Sequence, residues 1–426
     1  MQKKHLFVAA GILTVSAPSF AAGFEKSSFW SGKYSGIAGA AASSAQGAEA
    51  LYWNPAGLVE DGHEGFEVSG NISPTMAKFE GPVTTPNQTV DGSTKWIPPF
   101  GAFLSYGITK DWAVGFGIYS SAGTRAEFDD VSIDPTFFTL TPTLKTSLTV
   151  TEYSLGTSYQ VLPGLKIGGA WRIVHGSADL ASATVVGGTT LAAADYEGLS
   201  QTRVNGWRIG AQYEPEAKNW GIGATWRTAV NFDNAAGSAT LATQTAGSGT
   251  TTTQTGTASA ALSFPSQISV GAHYDILPQT LRFFVQDTWT QFHNIQAITV
   301  NSSIATLPSY TTPTSWNNEN ALRFAFECSA VQDWKFRIGY SWGNQVQPDD
   351  VAIPTLVAPS SGQTFVLGAG TSLFAHTLDL DASLQYDVAS GTGNAANAGA
   401  GAAAPGLAGD YKSYDFALNL GATYRF

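Results

Sequence analysis

The last strand-length stretch of the chain alternates without a break. Phe416, Leu418, Leu420, Ala422, Tyr424 and Phe426 fall on one face, and Asp415, Ala417, Asn419, Gly421, Thr423 and Arg425 on the other. A period of two predicts a β-strand with two unlike faces. The same alternation recurs upstream. Trp334, Phe336, Ile338, Tyr340 and Trp342 oppose Lys335, Arg337 and Ser341, and Leu378, Leu380, Leu384 and Tyr386 oppose Asp379, Asp381 and Asp387. Leu322, Phe324 and Phe326 oppose Arg323 and Glu327, while Leu165, Ile167, Trp171 and Ile173 oppose Lys166 and Arg172. Trp and Tyr gather towards the ends of the apolar faces, as they do at membrane interfaces. The pattern therefore predicts apolar faces in lipid and charged faces in an enclosed lumen.

One stretch breaks the pattern. Tyr34 to Leu58 is rich in Gly, Ala and Ser and ends in Tyr52, Trp53 and the tripeptide Asn54-Pro55-Ala56. Asn is a good helix cap, and Pro fits the first helical position without losing a needed donor. These residues predict a compact segment of short helices and turns, packed closely inside the strands.

The connections add a second signal. Short ones (Thr109–Asp111, Leu162–Gly164, Pro215–Lys218, Leu277–Gln279, Gln332–Asp333, Phe374–His376) alternate with long ones such as Gly81–Lys95, Asp129–Thr141, Ala178–Gly198 and Ala235–Ala260. Short periplasmic turns and long external loops are the rule in outer-membrane barrels, and the spacing gives about 14 strands with both termini in the periplasm. The expected fold is thus all-β: a 14-stranded antiparallel transmembrane β-barrel with a small N-terminal helical hatch in its lumen. Ala235–Ala261, almost all Thr, Ala, Gly, Ser and Gln, and the Gly/Ala-rich Ala389–Gly409 read as flexible external loops. The loop carrying Ile353, Pro354, Leu356, Val357 and Pro359 is apolar for its position, which suits packing or an apolar landing surface.

Composition sharpens this picture. Among 426 residues only 12% are charged and 12% are aromatic, yet no run of about 20 apolar residues exists to form a spanning helix. Lys3 and Lys4, the apolar Leu6–Val15 and the small Ser19 and Ala21 form a secretory leader. The expected organisation is a signal peptide at 1–21, a hatch at 22–64 and a barrel at 65–426. A net charge of −11 without basic clusters argues against nucleic acid as a partner. Cys328 is the single cysteine, so no internal disulfide is expected. The six histidines have no metal-ligand spacing, and no nucleophile or phosphate-loop motif stands out. Neither catalytic residues, nor a metal, nor a cofactor are expected. Lumen charges such as Arg323, Arg337, Asp379, Asp381 and Asp387 read as ion pairs holding barrel and hatch.

Ala22-Gly23-Phe24, Ser31-Gly32, Tyr34-Ser35-Gly36 and Asn54-Pro55-Ala56 resemble the N-terminal hatch of the FadL family of long-chain fatty-acid transporters. The resemblance continues through Trp112–Gly117, Gly123–Asp129, Phe264-Pro265-Ser266 and Trp289–Phe292, over essentially the whole mature chain. It implies passive transport of hydrophobic compounds across the bacterial outer membrane: loop capture, an internal apolar pocket, hatch rearrangement and sideways exit beside a kinked third strand. Phe24 matches the aromatic that touches the pocket, and Ser120, Ser121, Ala122 and Gly123 match the kink. Arg172 is a candidate for the ligand's carboxylate by face parity, with pairing to a lumen carboxylate as its other reading. Long-chain fatty acids stand first as cargo, aromatic hydrocarbons second, and a structural or adhesive barrel is the rival class. The partners expected are the hydrophobic ligand, outer-membrane lipid and the barrel-assembly machinery, which would read the C-terminal strand ending in Phe426; the chain is expected to act as a monomer.

Overall fold

The computed structural model describes residues 30–60, 64–84, 86–307, 309–352, 355, 359–394 and 407–426. The expected leader at 1–21, Phe24, the apolar residues Ile353, Pro354, Leu356 and Val357, and the middle of the Gly/Ala-rich stretch lie outside these. Chain order begins with two single-turn helices, α1 (Gly32–Ser35) and α2 (Ala50–Trp53), and a 3-10 turn at Pro55–Leu58. Strands follow: β1 (Gly65–Ile72), β2 (Thr75–Pro82), β3 (Thr89–Asp91), β4 (Lys95–Ile97), β5 (Phe100–Thr109), β6 (Trp112–Phe128) and β7 (Leu144–Leu162). Next come β8 (Leu165–Val186), β9 (Thr190–Tyr213), β10 (Trp220–Arg227), β11 (Val230–Thr245), β12 (Thr251–Phe264), β13 (Gln267–Leu277) and β14 (Leu281–Thr290). The last are β15 (Ala297–Ser302), β16 (Tyr310–Pro313), β17 (Glu319–Val331), β18 (Trp334–Gly343), β19 (Gly362–Leu373), β20 (Leu378–Gly393) and β21 (Gly409–Arg425).

Antiparallel pairing closes a ring of 14 strands. It runs β1, β5 to β10, β13, β14 and β17 to β21, and β21 returns to β1 with Glu67 opposite Arg425 and Ile72 opposite Leu420. Closure leaves the wall without an edge, which a bilayer demands of any sheet that spans it. The other strands extend the wall on the side of the long connections; β2 continues β1, and β11 continues β10. Several joints between wall and extension hold proline, at Pro74, Pro98-Pro99 and Pro265. Proline has no N–H to give a ladder, so the sheet can change direction there.

The expected faces are as drawn. Leu155, Ile167, Leu367 and Leu418 are exposed on the outer wall, while Glu152, Ser154, Arg172 and Asn419 are buried inside. The short turns use backbone suited to tight reversal, with φ positive at Gly164, Lys218, Gln279 and Asp333. Two stretches expected to be loops are strands instead. Ala235–Ala261 forms most of the hairpin of β11 and β12, with Thr240 opposite Thr255 and Thr243 opposite Thr252, and Ala178–Gly198 lies in the extended β8–β9 pair. Their threonines are β-branched and pair well across strands; low complexity alone did not separate such a hairpin from a flexible loop.

The hatch fills the lumen. Helices of one turn do not persist alone, so burial holds these: Trp30, Tyr34, Leu51, Tyr52 and Trp53 pack with Phe103 and Tyr119 of the wall. Glycines let the two surfaces meet. A side chain at Gly168 would run into the Pro55–Ala56 backbone, one at Gly210 into Asn54 and one at Gly223 into Ala42.

Candidate functional site

Asn54 caps the 3-10 turn by accepting a hydrogen bond from the Ala56 amide at 3.2 Å, with Pro55 at the first position. Its amide nitrogen also lies 2.7 Å from the Ala42 carbonyl of the hatch, and 3.0 and 3.3 Å from the Ala211 and Ala224 carbonyls of β9 and β10. One side chain therefore ties the turn to the rest of the hatch and to two adjacent wall strands. Glu49 of the hatch accepts from Ser31 and from Ser69 of β1, each at 2.7 Å. His273 of β13 sits between Ser43 of the hatch (3.1 Å) and Glu214 (3.2 Å), beside a small polar cavity of about 80 Å³ that Lys33, Lys166 and Arg337 also line.

Arg172 is fully buried. Its guanidinium makes a two-pronged pair with Glu152 of β7 (2.8 and 2.6 Å), and its remaining nitrogen reaches the Trp207 and Thr228 carbonyls at 3.4 and 3.1 Å. This is the pairing with a lumen carboxylate that stood as its other reading. A charge already matched by a buried carboxylate has little attraction left for a second one. The same acid accepts from Tyr119, whose hydroxyl also meets Arg208, and Arg208 lies over the Tyr52 ring, so the cluster braces α2. Other lumen charges are paired likewise: Arg337 with Glu327 (2.7 Å) and Asp381 (2.6 Å), and Arg425 with Glu67 (3.0 Å) and Asp379 (2.7 Å).

Ser120 to Gly123 lie on β6, the third strand of the ring. The β5–β6 ladder ends at Gly101–Tyr119, although β6 continues to Phe128. On the other side the β6–β7 register slips between Ser120 and Ala122, so Ser121 is the extra residue of a bulge. Buried positions on β6 fall on odd numbers up to Tyr119 and Ser121, then on even numbers at Ala122, Ala126 and Phe128. A bulge re-aims a strand in this way. The Ser120 carbonyl accepts from the Trp30 indole of the hatch at 2.8 Å, and its hydroxyl accepts from the Phe100 amide at 3.3 Å.

Two cavities meet at this strand. One, of about 350 Å³, lies beside the bulge and is lined by Trp96, Pro98, Phe100, Gly123, Leu148 and Thr151 among others. The second, of about 50 Å³, is lined by Leu148, Leu199, Phe232, Leu262, Ile298 and Trp316 among others. Its polar side chains are Thr124, Thr146, Ser177 and the indole of Trp316, with no charged side chain among the described lining residues. Thr124 and Leu148 line both cavities and divide them.

A model of the outer membrane protein transport protein family (OMPP1/FadL/TodX) matches residues 12–426. The chain belongs to this family. It is accordingly an outer-membrane channel for hydrophobic compounds and not an enzyme. No curated protein sequence matches it. Its fold is similar to that of a Pseudomonas aeruginosa FadL homologue, at 16% identity and a TM-score of 0.72, over 96% of this chain and 100% of that one. It is also similar to the P. putida toluene transporter TodX (15%, 0.73, 94% and 99%) and to the CymD monoaromatic hydrocarbon channel (14%, 0.70, 94% and 99%).

Reading the sequence alone missed the carboxylate that takes Arg172 and the apolar set around Phe232 and Trp316. Glu152 had a visible signal, a lone acid at an inward parity of β7. The cavity had none, because its residues come from seven strands and a loop far apart in the chain.

Proposed function

We propose that this FadL-family channel carries small neutral apolar molecules of the monoaromatic hydrocarbon class, and that they leave sideways at the β6 bulge. The observation that carries this reading is the largely apolar inner cavity with no charged lining residue. A carboxylate entering it would lose its hydration with no cation to replace it, a heavy cost; a neutral ring loses only water that the apolar lining already repels. Arg172, the carboxylate partner expected from face parity, is paired with Glu152. Among the structurally similar proteins, TodX is a toluene transporter and CymD a monoaromatic hydrocarbon channel.

The route follows from the cavities. The inner one, at about 50 Å³, is smaller than the roughly 150 Å³ apolar cavity that accepts benzene. A ring therefore enters only as Phe232, Trp316 or Leu148 gives way. Displacing Leu148 and Thr124 joins the inner cavity to the one beside the bulge, from which the solute passes into lipid without crossing water. Trp30, bonded to the Ser120 carbonyl, links that step to movement of the hatch. Phe24 and the 22–64 hatch boundary keep their proposed roles from the family resemblance.

The test is titration of the purified, detergent-solubilised channel with toluene, oleate and benzoate while tryptophan fluorescence is followed. Toluene should quench, and Phe232→Ala should change that response. Tight, salt-sensitive binding of oleate or benzoate, with no response to toluene, would overturn the assignment in favour of a carboxylate cargo.

A further inference from the structure

The wall has a second place where its ladder is interrupted. β9 pairs with β10 as far as Arg208–Arg227, and the Thr228 amide still reaches the Trp207 carbonyl at 2.9 Å. Pairing of β9 with β11 resumes only at Ser200–Ala236. Among the described residues, no ladder pair joins the two sides over 201–206 and 229–235. On its other side β9 bulges at the same level, since Arg172 opposes Gly206 but Val174 opposes Arg203.

Side chains replace the ladder along this seam. Arg203 pairs with Asp233 across it at 2.6 Å, and the Gln201 side chain accepts from the Asn234 amide at 3.1 Å. The Trp171 indole donates to the Val204 carbonyl from outside, and Arg172 donates to Trp207 and Thr228 from inside. Trp171, Trp207 and Trp226 are all exposed on the outer wall around the lower end of the seam. Outward tryptophans mark the level of a membrane–water interface, so the seam opens at the outer rim of the lipid.

The inner side of the seam is the apolar cavity already described. Phe232 and Ala235 belong to the unpaired segment and line that cavity together with Leu199 and Gly176. The Phe232 ring is buried and lies against Gly176 of β8; a β-carbon there would come within 2.8 Å of the ring. Gly176 pairs with Gln201. The ring thus reaches from β11 past β9 to β8 and covers the seam from within. The cavity therefore faces the β6 bulge through Leu148 and Thr124, and this seam through Phe232 and Ala235.

From this geometry we propose that the seam is a second lateral port, through which the same apolar solutes pass between the cavity and the outer-leaflet lipid, with Phe232 as its inner cover and the Arg203–Asp233 pair as its outer latch. The proposal rests on the transport reading above. Opening the wall where its ladder is continuous breaks ladder hydrogen bonds. Over the unpaired stretch of this seam the cross-links are side-chain ones: an exposed ion pair, which is weak, the Gln201–Asn234 bond, and a ring that need only rotate off a glycine.

Cross-linking separates the two ports. In full-length protein carrying Cys328→Ser, Arg203→Cys with Asp233→Cys is closed across the seam by a short bis-maleimide. Phe100→Cys with Ser120→Cys is closed across the bulge. Uptake of radiolabelled toluene into proteoliposomes is measured for each and for the combined protein, with heat-modifiable migration confirming that every barrel is folded. Closing the bulge alone should leave partial uptake, closing both should remove it, and Phe232→Ala should raise uptake in the bulge-closed protein. The second port is refuted if closing the bulge alone removes all uptake, or if closing the seam changes nothing once the bulge is closed. Absence of toluene uptake in the uncross-linked protein would instead refute the transport reading itself.

Discussion

Arg172 shows how the surroundings of one side chain decide its use. A buried arginine paired on two prongs is a brace, and removing its partner leaves a charge that the site has no means to solvate. Glu152→Gln should therefore destabilise the barrel by about 3 kcal/mol or more, read as a lower urea midpoint for unfolding from lipid vesicles. Toluene affinity should change little, because Glu152 does not line the apolar cavity. Trp30 acts differently. Trp30→Phe keeps an aromatic ring against Tyr52 and Phe103 but loses the bond to the Ser120 carbonyl. The expected outcome is a folded barrel with altered toluene uptake kinetics; unchanged uptake would mean that hatch and bulge are not coupled through this bond.

At the scale of the element, the bulge on β6 is a change of parity. Residues below Ser121 face inward on odd numbers and those above on even numbers. Deleting Ser121 would keep every other residue on its present face, which deletion of one residue from a regular strand would not do. The shortened strand should pair continuously with β7 and draw nearer to β5. We expect it to assemble normally, by heat-modifiable migration, and to transport toluene more slowly through a narrowed opening. Assembly with undiminished uptake would remove the bulge from the pathway. The β11–β12 hairpin teaches a converse lesson: a run of Thr, Ala and Gly holds its shape because it pairs with β9 on one side and β15 on the other.

For the whole molecule, hatch and wall act as one closed body. Gly168, Gly210 and Gly223 admit the hatch backbone to the wall, and Asn54 ties it to two strands. The intact protein should give no swelling of liposomes in small sugars. Asn54→Ala removes a cap worth about 1 kcal/mol together with the amide that meets the Ala42, Ala211 and Ala224 carbonyls. It should leave the barrel assembled but admit sugars slowly; a variant as tight as the parent would show that the turn does not seal the lumen.

Alternation by itself determined that the wall is built of strands and which face meets lipid, because a period of two in a wall with lipid on one side leaves few other arrangements; the spacing of short and long connections set the count of about 14. Asn54-Pro55-Ala56 also declared its capped turn locally, since cap and turn are neighbours in the chain. The bulge residues Ser120–Gly123 were marked by family resemblance; the register slip itself became visible only against β7. The partner of Arg172, the apolar cavity and the seam between β9 and β11 were decided by tertiary structure alone. Each depends on which residues of distant strands come opposite one another, and that register is set by closure of the whole ring around its hatch.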